Sequence, residues 1–346
     1  MKYLRETHQL LYQQQTIELT QPNSATNTYG IALVTAGTFA VLLVLAMFLD
    51  TLRFILTHSS SGVKAHSVFV TGVYPVISLA TYLAILVPRA HLLSEAVTQG
   101  AFMSGMYRLF CLFVAYCDGE AELMKRIEVR RVRWTLRVTP CCCWPCCTFL
   151  PELEATKSSL RSLKLLVLQL PVVQGLAYLV LLVMWAERES LYQVNYIYLQ
   201  PVIIISILVG IWSMTILMNV LKSTLDKSYS LSGKFIVLQL VLIFAKVQGL
   251  ATRALVWVDM LPCNPPITPQ VYANLLHNAL MLSEMVLLGA IARYLYKKNI
   301  PEIATEEMQI STLGNIMNNN DIGRSNKWSS ELKRTGIENE AVDITN

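Results

Sequence analysis

Charge is scarce in this sequence, and histidine is scarcer still. Only 15% of the 346 residues are Asp, Glu, Lys or Arg, five are His, and 54% are hydrophobic. The mean hydropathy is +0.46. A soluble domain carries roughly a quarter charged residues, so this balance excludes one and makes the bilayer the solvent of the fold. His8, His58, His66, His91 and His277 are scattered, and the chain has no His-Glu-x-x-His, no Gly-x-Ser-x-Gly and no P-loop. Zinc hydrolysis, serine acyl transfer and direct ATP coupling therefore have no residues to run on, and neither a metal nor a cofactor is expected. A net charge of +5 sits in loops beside apolar runs, where membrane orientation explains it better than nucleic acid does. No Asn-x-Ser/Thr sequon occurs, so nothing argues for N-glycosylation.

What is abundant is apolar sequence in membrane-length runs. About twenty such residues cross the hydrocarbon core as a helix. On that rule spans are expected near 29–52, 66–87, 95–116, 163–185, 196–221, 233–257 and 274–296. The fold class is thus all-α and polytopic, with seven transmembrane helices. Residues 1–28 are polar, so the first span is expected to act as its own signal-anchor. Lys and Arg gather in alternate connections: Arg53 and Lys64, the third connection, then Lys222, Lys227 and Lys234, and finally Lys297 and Lys298. The sixth connection, 259–272, has neither. The positive-inside tendency then puts the N-terminus outside and the C-terminus in the cytosol. Tyr29, Trp185, Tyr196, Trp257 and Tyr272 fall at the outer boundaries and Tyr294 and Tyr296 at an inner one, where amphipathic rings prefer to lie. The domain reading is an extracellular segment 1–28, a membrane domain 29–296 with a cytosolic Cys-rich loop 118–162, and a disordered cytosolic tail 297–346.

That loop is the one long polar connection. It carries Lys125, Arg126, Arg130, Arg131, Arg133 and Arg137, then Cys141, Cys142, Cys143, Trp144, Pro145, Cys146 and Cys147. A zinc site wants spaced pairs of ligands, and the cytosol disfavours disulfides. Thiols at a membrane surface beside a polybasic segment suit S-acylation, so Cys141, Cys142, Cys143, Cys146 and Cys147 are read as lipidation sites that would tether the loop to membrane lipids. The alternative is that they are small apolar residues at the interface. Cys263 is expected to be a free thiol.

Ionisable residues at mid-bilayer depth are expensive and usually pair or line a pathway. Lys246 and Glu284 both lie about 15 Å from their helix ends at 1.5 Å per residue, and adjacent antiparallel helices could pair them. Arg108 has comparable depth and could compete for the same carboxylate. Gln239, Lys246 and Arg253 recur every seven residues, near one helical face, with Gln248 and Gly249 beside them. Arg108, Gln239, Lys246, Arg253 and Glu284 are therefore the substrate-binding candidates. Met103, Met106, Met214, Met218, Met281 and Met285 offer either an adaptable apolar wall or ordinary core. Arg253 and His277 could instead snorkel. Pro75 and Pro171 are kink candidates, and Gly72, Gly175, Gly210, Gly249 and Gly289 would permit close helix approach.

Several of these features, in order, carry a resemblance: Pro88-Arg89, Tyr116-Cys117-Asp118-Gly119-Glu120, the cysteine run, Gly233-Lys234-Phe235 with Gln248-Gly249, and Ser283-Glu284-Met285. From Thr71 to Tyr296 the chain resembles the organic solute transporter alpha family, which includes the transmembrane protein 184 group. The resemblance implies seven helices, an outward N-terminus and facilitated diffusion of bile acids, conjugated steroids and similar amphipathic anions. It also implies a single-span beta-type subunit as partner and a basolateral plasma-membrane location, with intracellular vesicle membranes and homo-oligomers left open. The competing function is a membrane scaffold or trafficking regulator with no solute flux. A seven-helix receptor fits the topology, but the third span lacks Asp-Arg-Tyr and the seventh lacks Asn-Pro-x-x-Tyr.

Overall fold

In a bilayer every backbone N–H and C=O must be satisfied within the chain, so an apolar run of this length has helix as its only unclosed solution. The computed structural model describes residues 24–87, 90–129, 138, 156–187, 189–224, 230–258 and 269–298. It consists there of eight helices: α1 (Ser24–His58), α2 (Ser61–Leu86), α3 (His91–Ala115), α4 (Glu120–Val129), α5 (Lys157–Glu187), α6 (Glu189–Thr224), α7 (Leu231–Trp257) and α8 (Pro269–Lys298). Among the described residues six are long and apolar enough to span a membrane, or seven if α3 and α4, bent by 60°, form one span. Each helix matched to an expected span begins two to seven residues before it, because polar flanks enter the helix ahead of the apolar run, whereas α2 and α3 end one residue short of it. The N-terminal segment 1–23, Cys141 to Cys147, Cys263 and the tail 299–346 lie outside the described residues.

The solvent-facing pattern of a soluble protein is inverted. Phe39, Leu176, Val247 and Leu250 are exposed on the helix exteriors, where lipid covers them. Threonines on α1 and α2 fold their hydroxyls back onto carbonyls three or four residues earlier, as with Thr38 to Val34 and Thr71 to Ser67, so they carry no unmet polar group into the apolar layer. The core is built around α3, whose Phe102, Met103, Met106, Leu109, Phe110, Leu112 and Phe113 are all buried. Helix α3 packs along α2 and α5; α8 packs on α1, α2 and α7; α5 pairs with α6. Helices α6 and α7 barely touch.

Small residues set two of these contacts. A Cβ at Gly210 would come within 2.4 Å of Leu170, and one at Gly105 within 2.7 Å of Val73, so α5–α6 and α2–α3 approach at glycines. Gly72 and Gly289 would make ordinary contact, whereas Gly175 and Gly249 face open space, which corrects the expectation of close packing at the latter two. Pro75, Pro171 and Pro201 all lie inside helices.

Helix α3 ends for a legible reason. Asp118 has φ 61° and Gly119 φ 101°, the left-handed region that only glycine adopts freely. The Gly119 N–H then turns back to the Val114 carbonyl at 3.2 Å, satisfying an orphan acceptor of the helix end. Beyond the turn, α4 buries Leu123, Met124 and Ile127 and turns its charges outward. Arg126 pairs with Asp118 at 3.0 Å and with Glu122 at 3.6 Å, so the first part of the basic run is an ion-paired amphipathic helix rather than bare charge. Arg130, Arg131, Arg133 and Arg137 lie outside the described residues.

The helices alternate in direction, which gives the bundle two unlike ends. Arg53, Lys64, Lys125, Arg126, Lys157, Arg161, Lys164, Lys222, Lys234, Arg293, Lys297 and Lys298 gather at one, called here the basic end. There Asp50 of α1 receives Arg293 and Lys297 of α8, each at 2.6 Å. Glu120 of α4 receives Lys164 of α5, also at 2.6 Å.

Candidate functional site

Several polar groups within the spans gather along the seam between α3 and α7. Glu95 lies in the second turn of α3, near the charge-poor end. Tyr178 of α5 donates its hydroxyl to Glu95 Oε1 at 3.2 Å. The position of Tyr178 is set by a local core of Ala177, Leu181 and Ile203, with Ala96 and Tyr196 packed against it. Lys246 of α7 is half-buried, and Glu95 is the carboxylate, and Arg253 the cation, close enough to act on it. His277 of α8 lies within the field of Glu95, Arg253 and Lys246 together. Its Nδ1 is buried without a hydrogen-bond partner. Arg253 is exposed, with its guanidinium 5.5 Å from the centre of the Tyr196 ring on α6. Five helices thus contribute to one cluster in which, among the described residues, the carboxylate Glu95 and the cations Lys246 and Arg253 lie within electrostatic reach of one another. Such an arrangement can hold an anion at a depth where water screens little.

The heptad stripe of α7 keeps to one face, and that face looks toward α3. One turn or two below Lys246, Gln239 is buried and lies 3.7 Å from Met106 Sδ of α3. The expected pairing of Lys246 with Glu284 is not what the structure contains. Among the described residues no ion pair joins them. Glu284 of α8 instead accepts a hydrogen bond from Gln248 Nε2. The reason is rotation: Gln248 is two residues from Lys246, about 200° around a helix, so only one of them can face α8 at that level. Glu284 Oε2 has no partner.

Arg108 does not join this cluster either. It lies on the exposed face of α3, 5.2 Å from the centre of the Phe69 ring of α2, with His66 within its field. The methionines are core: Met103, Met106, Met214, Met218, Met281 and Met285 are at most 2% exposed. A water-sized cavity between α1, α2 and α8 is lined by Val44, Thr51, Tyr74, Gly289 and Arg293, away from the seam.

Sequence reasoning missed Glu95, Tyr178 and Tyr196. Glu95 falls at the start of a span, where a carboxylate reads as interfacial, and only the packing of α5 and α7 gives it Tyr178 as a partner and Lys246 within its field. Lys234 and Tyr296 were also misplaced, as a loop cation and a belt aromatic. Both are only 2% exposed, and Lys234 Nζ donates to Tyr116 Oη at 2.7 Å. Among the described residues no group of His, Cys, Asp or Glu could hold a metal ion.

A family model described as "Organic solute transporter Ostalpha" matches residues 32–300, which takes in every spanning helix and the whole seam. The chain belongs to the organic solute transporter alpha family. The family transports solutes and is not a family of enzymes, so this chain is a multi-pass membrane transporter. It is similar to an organic solute transporter alpha-like protein of Drosophila melanogaster, 29% identical over 253 residues, covering 73% of this chain and 76% of the relative. It is also similar to organic solute transporter subunit alpha of Danio rerio, 24% identical over 282 residues with 79% and 85% covered. The subunit alpha of Leucoraja erinaceus is 23% identical over 276 residues, with 78% and 76% covered. No solved structure matches the chain.

Proposed function

We propose that this member of the organic solute transporter alpha family carries amphipathic organic anions, conjugated steroids and bile-acid-like solutes, by facilitated diffusion. The observation that carries the reading is the cluster in which Lys246, Arg253 and His277 lie within electrostatic reach of Glu95. An anionic head group exchanges with Glu95 for Lys246 and Arg253, while the apolar body lies against the lipid-facing surface left where α6 and α7 barely touch. Gly249, facing open space on α7, keeps that surface free of side-chain bulk. With no ATP-binding motif, the solute gradient drives net flux in either direction.

The relatives from Danio rerio and Leucoraja erinaceus are named as alpha subunits, which supports a two-component carrier with a single-span beta-type partner. The charge distribution supports an N-terminus outside and the basic end in the cytosol, and the resemblance to the family supports a place in the plasma membrane, basolateral in a polarised cell. The five cysteines from Cys141 to Cys147 would fasten the loop after α4 to the inner leaflet by acylation. Replacing all five by Ser is expected to abolish incorporation of an alkyne palmitate probe, and undiminished labelling would refute the assignment.

The deciding experiment is uptake and efflux of a labelled steroid sulfate in cells expressing the chain alone and with a beta-type subunit. Saturable flux down the gradient in both directions is expected, and Lys246→Ala should reduce it at least tenfold while surface expression persists. Absence of flux from both combinations, with surface expression confirmed and several anions tried, would favour the scaffold reading.

A further inference from the structure

The polar contacts of the seam do not stop at Glu95 and Lys246. Moving toward the basic end they continue through Met106 with Gln239 to Tyr116 with Lys234, each pair joining α3 to α7. Lys234 and Lys246 are twelve residues apart, about 18 Å along the helix axis. The Lys234 ammonium is 4.7 Å from the centre of the Tyr116 ring and 4.8 Å from that of Tyr296, so α3, α7 and α8 meet on one cation. Tyr74 of α2 and Tyr116 lie within electrostatic reach of Tyr296. Among the described residues no carboxylate pairs with Lys234. The Tyr296 hydroxyl, equally buried, has no hydrogen-bond partner at all.

An unpaired cation and an unpaired donor, buried side by side, are both costly. Aromatic faces recover only part of that cost. The ammonium has three protons and one hydrogen-bond acceptor here, and a phenol proton stands idle beside it. One kind of ligand meets both needs: an oxyanion, which accepts from Lys234 Nζ and from the Tyr296 hydroxyl, while Tyr116 Oη goes on accepting from the lysine.

We propose that Lys234, Tyr116 and Tyr296 form a second station for the sulfate or carboxylate head group of the transported solute, at the basic end of the α3–α7 seam. This rests on the anion-carrier reading and deepens it. A solute released from Lys246 does not fall back into a cation-free interior; it is received one station further on. The tyrosine rings hold the ammonium in place while the station is empty.

The test is equilibrium binding of a radiolabelled steroid sulfate, and of its unconjugated parent, to the purified full chain in lipid nanodiscs. The informative variant is Tyr296→Phe, which removes only a buried hydroxyl without a partner. A purely structural cage predicts that this variant melts at or above the wild-type temperature and binds as wild type does. The station predicts the same melting behaviour with steroid sulfate bound roughly tenfold more weakly and the neutral parent unchanged. Lys234→Gln should weaken the preference for the sulfate, and Lys246→Gln combined with Tyr296→Phe should lose more than either alone. Wild-type affinity and preference in Tyr296→Phe would overturn the station and leave Lys246 standing. A wild-type chain without preference for the sulfate would overturn both sites. Binding that depends on Tyr296 in a chain that shows no flux would retain the station and sink the carrier reading.

Discussion

Glu95 is where a single residue decides most. Among the described residues it is the one carboxylate acting on Lys246, so it competes with any bound anion for that cation. A carboxylate and an anion about 8 Å apart repel by about 2 kcal/mol at an effective dielectric near 20. Glu95→Gln is therefore expected to lower the apparent KM for a steroid sulfate by up to about thirtyfold. It should also slow maximal flux, because the head group leaves a more positive site less readily. An unchanged KM, measured as initial uptake with surface expression matched, would show that Glu95 serves only to hold Tyr178. At this scale the sequence was a partial guide. Lys246, Arg253 and Gln239 were legible as one face because a seven-residue spacing returns to nearly the same angle. Their partners were not, since depth in a span says nothing of the helix azimuth across from it.

Between elements, glycine sets how closely helices approach. Helix α6 meets α5 where Gly210 faces Leu170, with room for a hydrogen and not for a methyl. Gly210→Ala is expected to destabilise the α5–α6 pair by about 1–3 kcal/mol through overpacking. Gly175→Ala, on the same pair but facing open space, should be neutral or slightly stabilising, since alanine is the better helix former. Thermal unfolding of the two variants in one detergent separates the cases, and equal melting temperatures would mean that Leu170 swings aside freely. The sequence singled out five glycines, and only this one makes a short contact. Gly105, which packs against Val73, escaped notice because every glycine in an apolar run looks alike until its neighbour is placed.

For the molecule as a whole, the unlike ends carry the functional sense of direction. The basic end is closed by Asp50 with Arg293 and Lys297 and by Glu120 with Lys164, while the Glu95 cluster lies toward the charge-poor end. An epitope placed at the N-terminus is expected to be reached by antibody on intact cells, and one at the C-terminus only after permeabilisation. The reverse pattern would put the Glu95 cluster on the cytosolic side and the Lys234 station on the outer one. The six or seven apolar spans and the placement of Lys and Arg between them come directly from composition along the chain. Length of apolar run and placement of Lys and Arg are one-dimensional properties, and the bilayer reads them in one dimension.

The sequence by itself determined an all-helical membrane chain, its family and the three polar residues of the α7 stripe. Tertiary structure alone decided that Glu95, rather than Glu284, faces Lys246, that Arg108 lies outside the cluster, and that Lys234 is a buried cation among tyrosines instead of a loop charge. The physical reason is the same in each case. Whether a polar side chain in a helix meets lipid, a carboxylate or an aromatic ring depends on how far the neighbouring helix is rotated about its own axis, and hydropathy along one chain does not contain that angle.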